Sequence, residues 1–193
     1  MDASETATSA IARPRQCEAD LEDALAAFLE GTGLFRVLRQ VVGRPLWTAC
    51  PAAGWVRCDL LLLASKRGLA AGWKHGPIVL EVKRPGEPIG PAVSQAMDYL
   101  RSSWTLPNGV PVLASWAFVY PAERAHGALA SIMAQNRVGT ATLAGGELDL
   151  WCGEQRVLTV CDGGTLRVGQ VGIGRRFGGR RGGSSLTRRS VDI

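Results

Sequence analysis

From Glu18 onward apolar residues return every three or four positions, at Leu21, Leu25, Phe28 and Leu29, which predicts a helix ended by Gly31 and Gly33. Leu34 to Val42 carries a similar spacing and reads as a second helical stretch or turn, stopped by Gly43 and Pro45. Leu46 to Cys50 is apolar and bounded by prolines, so it reads as a short strand. Two segments differ in kind. Trp55 to Ala64 (W-V-R-C-D-L-L-L-L-A) and Pro77 to Lys83 (P-I-V-L-E-V-K) are short, rich in leucine or β-branched residues and bounded by breakers, the signature of buried strands. A polar loop, S-K-R-G-L-A-A-G-W-K-H-G, separates them.

R-P-G-E-P-I-G-P closes the second strand, and Pro91 suits the first position of a helix whose apolar face is Val93, Ala96, Met97 and Leu100. Val110 to Tyr120 reads as one more buried strand, Ala122 to Gln135 as a helix over it, and Val138 to Leu143 as a further strand. After Gly145, L-D-L-W-C, Q-R-V-L-T-V and T-L-R-V-G-Q-V, parted by G-E and D-G-G turns, predict a small β meander. There is no internal repeat. The alternation of helices and strands predicts an α/β fold around a mixed central β-sheet flanked by helices. The expected organisation is a flexible N-terminus over 1–16, one domain over 17–173, and a Gly/Arg-rich disordered tail over 174–193.

The 193 residues suffice for one domain, and 46% hydrophobic against 20% charged residues excludes wholesale disorder. Apolar runs stop near the five residues of Leu60 to Ala64, against the ~20 that a membrane helix needs, so no membrane association is expected. The first sixteen residues lack an apolar segment and carry Asp2 and Glu5, unlike a secretion signal or transit peptide. Five cysteines is an odd number without secretory context, so a reduced, cytoplasmic protein is expected. Charge is more informative by its placement. Lys and Arg number 22 against 17 acids, yet from Gly174 on there are six arginines and one acid, Asp192, so the preceding residues balance at 16 of each sign. A Gly/Arg tail of this kind is drawn to phosphates by counterion release, or else serves solubility and protein contacts.

Asp59, Glu81 and Lys83 carry the chemistry. Residues two apart on a strand share a face, so Glu81 and Lys83 project together while Ile78, Leu80 and Val82 face the other layer. If the two strands pair antiparallel around the 65–76 loop, Asp59 falls opposite Glu81. Two carboxylates side by side on an apolar sheet repel and resist desolvation, a conflict that a divalent cation such as Mg²⁺ resolves. A cation so held polarises a phosphate and lowers the pKa of water, and a nearby ammonium steadies the developing charge. With three lysines and nine glutamates in the chain, chance supplies roughly 0.14 E-x-K triplets, so the pattern is more telling here than in most proteins.

The order Asp59, E-V-K (81–83) and Q-A-M-D-Y (95–99) resembles the PD-(D/E)XK nuclease superfamily, with a Q-x-x-x-Y element similar to that of its RecB-like branch. V-L-E-V-K-R-P-G followed by A-V-S-Q-A-M-D-Y-L also resembles the nuclease domain of type I restriction motor subunits. The resemblance spans about Glu18 to Tyr120 and implies a restriction-endonuclease-like core that hydrolyses DNA. It implies that Asp59 and Glu81 hold Mg²⁺, for which Mn²⁺ substitutes, with Val82 counted among the metal-holding positions. Lys83 would assist the attacking water, and Gln95 and Tyr99, one helical turn apart, would orient the site. A first-helix acid completes such sites; Glu22 is the candidate, with Glu18 second and Glu30 third. Arg84, Arg175, Arg176, Arg180 and Arg181 are the candidate DNA contacts. Cys58 stands where the superfamily's nominal proline would be, and Cys17, Cys50, Cys58, Cys152 and Cys161 show no C-x-x-C spacing, so no iron–sulfur cluster is expected. A homo-oligomer or a subunit of a larger nuclease complex is the expected assembly.

His75 and His126 have no metal-ligand spacing, though His75 could reach the site from the hairpin loop, and Lys74 is expected to flank it. Of six tryptophans, Trp73 and Trp104 are the candidates for stacking on a base. G-T-G (31–33) lacks a preceding strand and is no phosphate loop. The rival reading is a module that keeps the fold and binds nucleic acid without cutting it; a chelator separates the two, since only hydrolysis needs metal. A structural subunit that uses the tail for protein contacts predicts no DNA affinity at all.

Overall fold

The computed structural model describes residues 17–46 and 54–169. Helix α1 (Glu18–Thr32) begins at a capping box in which the Cys17 thiol accepts from the Asp20 amide and the Asp20 carboxylate accepts from the Cys17 amide. It stops at Gly33, whose φ of 66° suits a residue without Cβ. Strands β1 (Phe35–Pro45) and β2 (Val56–Ala64) follow, then a short helix α2 (Lys66–Ala70) and β3 (Ile78–Val82). Next come α3 (Ile89–Leu100), β4 (Ser102–Thr105), β5 (Pro111–Leu113), β6 (Trp116–Tyr120), α4 (Gly127–Gln135) and β7 (Val138–Ala144). The meander β8 (Glu147–Cys152), β9 (Gln155–Cys161) and β10 (Leu166–Val168) ends the described chain.

All ten strands form one mixed sheet in the order β10-β9-β8-β7-β6-β3-β2-β1-β4-β5, so the fold is α/β. The central trio β3, β6 and β7 runs parallel, joined by crossovers that carry α3 and α4; the other neighbours are antiparallel. Helix α1 covers one face, where Leu21, Leu25 and Leu29 meet Leu60, Leu62, Ile78, Leu80 and Phe118. On the other face Val93, Ala96, Tyr99 and Met133 pack on Leu61, Val79, Ala117 and Val119. Strand β3 is buried along its whole length between these layers, as parallel central strands are. No helix among the described residues is long and apolar enough to cross a membrane.

Several expectations are corrected. Of the segment Leu34 to Val42, expected as a helical stretch or turn, Leu34 is the bend before β1 and Phe35 to Val42 belongs to the strand. Its alternation breaks at Gln40, where φ is 50°, so Leu38 and Val41 turn to the same layer and mimic helical spacing. Val110 to Tyr120 splits into β5 at the sheet edge and β6 in its centre, with no breaker to announce it, and β4 before them carried no sequence signal. Helix α3 begins two residues before Pro91, which still lies within the first turn and needs no intrahelical donor. Helix α4 starts five residues later than Ala122, and the 65–76 loop contains α2, capped by Ser65 on the Gly68 amide. Leu46 ends beyond β1, and the remainder of the strand expected to Cys50 lies outside the described residues, as do segments 1–16 and 174–193.

Candidate active site

Strands β2 and β3 pair antiparallel through Leu60 and Leu80, Leu61 and Val79, and Leu62 and Ile78; continued one residue past the last pair, that register sets Asp59 opposite Glu81. Alternation then sends Glu81 toward the face occupied by α3, while Ile78, Leu80 and Val82 enter the α1 side. Asp59 is fixed by the backbone of the neighbouring strand: the Val82 amide donates to its Oδ2 at 2.7 Å. Val82 therefore enters the site through its N–H.

Glu81 is 2% exposed, which is costly for a carboxylate unless it is partnered. Both of its oxygens are. Lys83 Nζ donates to Oε1 at 2.5 Å, and the Tyr99 hydroxyl donates to Oε2 at 2.6 Å. The Arg57 carbonyl, 2.8 Å from the same hydroxyl, competes for its single proton, and Gln95 Nε2 donates to the hydroxyl at 2.5 Å. Burial pushes the Glu81 carboxyl above its ordinary value; the hydrogen bonds from Lys83 and Tyr99 oppose the rise and the Asp59 charge adds to it. Burial pulls Lys83 down, but the Glu81 hydrogen bond and the charges of Glu81, Glu18 and Asp59 outweigh it and raise the lysine. Lys83 is thus an ammonium at neutral pH. Burial and the Glu81 charge keep the Tyr99 hydroxyl protonated.

Glu22 reaches the site from the second turn of α1 and is 8% exposed. Arg39 Nε donates to its Oε1 at 3.2 Å, and the Arg39 guanidinium also pairs with Asp23. Gln40 Nε2 donates to Glu22 Oε2 at 2.6 Å and lies 3.3 Å from Asp59 Oδ1, so one amide links the two carboxylates. Glu18, a turn earlier, adds its charge to the surroundings of Lys83. Glu30, eight residues past Glu22, lies about 12 Å further along the helix and is exposed. It does not join the site.

The sequence singled out Asp59, Glu81, Lys83, Gln95, Tyr99 and Glu22, and the fold brings all six together. Sequence reasoning missed Arg39 and Gln40; their signal is a pair of polar residues interrupting an apolar strand, which a helical stretch or turn over Leu34 to Val42 does not bring out. His75 and Lys74 are displaced from the site, because the loop that holds them closes the β2–β3 hairpin at the end remote from Asp59 and Glu81. His75 instead meets Trp73 edge-on at 5.0 Å. Trp73 and Trp104 are buried core residues, 1% and 0% exposed, and neither is free to stack on a base. Arg175, Arg176, Arg180 and Arg181 lie outside the described residues.

Beside Lys83 opens a cleft of about 510 Å³, walled by Ile89, Val119 and Leu129 and rimmed by Arg84, Glu123 and Arg124. Arg84 is exposed at its mouth. Arg124 lies 4.6 Å over the Trp151 ring and donates to the Glu154 carbonyl, while its buried Nε has no hydrogen-bond partner among the described residues. Among the described residues no three His, Cys, Asp or Glu side chains converge as a metal-holding group: Glu81 is turned to Lys83 and Tyr99, and Gln40 stands between the other two acids. The donor chemistry nevertheless suits a hard cation, since three carboxylates from three elements offer oxygen alone, and one neutral amide, that of Gln40, spans Glu22 and Asp59.

A scan against protein-family models and searches of curated proteins and of solved structures found no match to the chain.

Proposed function

We propose that the protein is a metal-dependent nuclease that hydrolyses DNA phosphodiester bonds, built on a restriction-endonuclease-like core. The observation that carries this reading is the Asp59 carboxylate anchored on the Val82 amide next to Glu81, with Lys83 on one oxygen of Glu81 and Tyr99 on the other. A structural ion pair has no need of a second, separately anchored carboxylate beside it, whereas phosphodiester hydrolysis does.

Glu22, Asp59 and Glu81 would hold Mg²⁺, which supplies Lewis-acid polarisation of the phosphodiester and a lowered pKa for water. The chain's own residues do the rest. The Val82 amide and Gln40 aim the Asp59 carboxylate, and Tyr99, backed by Gln95, aims Glu81. Lys83, kept cationic by Glu81, faces the site and offsets negative charge as it develops on phosphorus. Arg84 at the mouth of the adjoining cleft presents a cation to the backbone of the strand being cut.

The test is incubation with circular single-stranded, circular duplex and linear duplex DNA in Mg²⁺, Mn²⁺ or EDTA, beside Lys83→Ala. Metal-dependent cutting that is lost in the variant is the expected result, and survival of the circles alone marks an exonuclease. No cutting of any substrate, with DNA still held in EDTA, overturns the reading in favour of a non-catalytic binding module.

A further inference from the structure

Gln40 is the least ordinary residue of the site. Its φ of 50° is disfavoured for any residue with a Cβ. Such outliers persist only where surrounding contacts over-determine them, and they gather at functional sites. The consequence here is specific. In a regular strand Arg39 and Gln40 would point to opposite faces. The turn at Gln40 instead lets both reach one carboxylate, Arg39 Nε at Glu22 Oε1 and Gln40 Nε2 at Glu22 Oε2. The same amide group extends to Asp59 Oδ1. On the opposite strand, Cys58 and Leu61 likewise turn to one layer, so both strands break phase at the rung of Gln40 and Asp59 while their register holds.

We propose that Gln40 is a placeholder: its amide links Glu22 to Asp59 in place of a divalent cation and competes with that cation for the two carboxylates. An amide offers only a partial positive charge to two acids that repel each other, and a cation satisfies the same oxygens with full charge. Gln40 is exposed, so its side chain leaves into solvent without displacing packed atoms. Arg39 keeps the other oxygen of Glu22 and holds that acid in place. Glu81 is free of the clamp because Lys83 and Tyr99 take both its oxygens. The proposal rests on the metal-dependent reading of the site, and it makes metal loading an exchange of one side chain for one ion.

The test measures Mn²⁺ binding by calorimetry without DNA, and thermal midpoints in Mn²⁺ and in EDTA, for the wild type, Gln40→Ala, Gln40→Gly and Asp59→Asn. Glycine adopts positive φ without strain, so Gln40→Gly preserves the strand if the alanine variant does not fold. Removing the amide should tighten Mn²⁺ binding about tenfold, the order of one net hydrogen bond to a charged group. Gln40→Ala should also melt lower in EDTA and gain more from Mn²⁺ than the wild type gains. Binding that is unchanged or weaker in both Gln40 variants overturns the placeholder role and leaves the metal reading standing if Asp59→Asn abolishes binding. Absence of Mn²⁺ binding in the wild type as well removes the metal reading and this proposal together.

Discussion

The Tyr99 hydroxyl lies 2.6 Å from Glu81 Oε2 and has Gln95 Nε2 as its own donor, so a helix of one layer aims a carboxylate carried by the central sheet. Gln95 and Tyr99 are four residues apart on α3, the spacing that stacks side chains on one helix face. Glu81 would otherwise hold a buried oxygen without a partner, and its direction would be set by Lys83 alone.

Tyr99→Phe removes that donor while keeping the ring that packs edge-on against Trp104. It leaves Glu81 Oε2 unsatisfied in a buried place, which should cost about 1–3 kcal/mol of stability. Urea unfolding checks the magnitude. On the nuclease reading, cutting falls further than stability requires, and the loss persists at temperatures where the variant is fully folded.

Glu81 sets a pH dependence whose sign follows from burial. Its folded pKa lies above the ordinary 4.5, chiefly through desolvation, so folding binds its proton more tightly than the unfolded chain does. The stability this group contributes is therefore full below pH 4.5 and is lost as pH rises through the folded value. Glu81→Gln cannot ionise, and its amide oxygen still accepts from Lys83 or Tyr99. The variant should be at least as stable as the wild type near pH ~7.5, with the gap closing toward pH ~4.5, and should cut no DNA. A wild type that is clearly the more stable of the two at neutral pH contradicts this account of the buried pair.

Arg84→Ala removes an exposed cation from the cleft mouth and, among the described residues, no side-chain hydrogen bond. Thermal stability should be unchanged. The slope of log affinity for duplex DNA against log salt, measured in EDTA, should shrink by about 1 if Arg84 meets one phosphate.

Deleting 174–193 takes away six arginines and one aspartate. A segment so rich in Gly, Arg and Ser offers little apolar surface to a core, so the melting midpoint should hold. The salt slope should fall by as much as about 5, at roughly 0.9 per neutralised phosphate. An unchanged slope assigns the tail to something other than DNA.

Much of the site was legible because its rules are local. Strand alternation puts Glu81 and Lys83 on one side, hairpin symmetry sets Asp59 opposite Glu81, and helical spacing stacks Gln95 under Tyr99. Glu22 was legible only through the resemblance, as one of three candidate glutamates on an amphipathic helix. Its selection over Glu30 depends on where α1 crosses the sheet, and that is a matter of packing Leu21, Leu25 and Leu29 against β2 and β3. Trp73 and Trp104 show the reverse. A tryptophan in a polar loop reads as free, yet Trp73 is drawn under the sheet and donates its indole N–H to the Gly76 carbonyl.

By itself, then, the sequence determined the α/β character, the β2–β3 hairpin and the carboxylate–lysine constellation, because each follows from period and spacing within one or two neighbouring segments. Only the tertiary structure decided that Phe35 to Val42 is strand, that β5 and β6 part to different places in the sheet, and that Gln40 joins two acids. The physical reason is range. Strand β1 is held by pairing with β2 on one side and β4 on the other. The conformation of Gln40 answers to carboxylates 18 and 19 residues away in the chain, which no local preference anticipates.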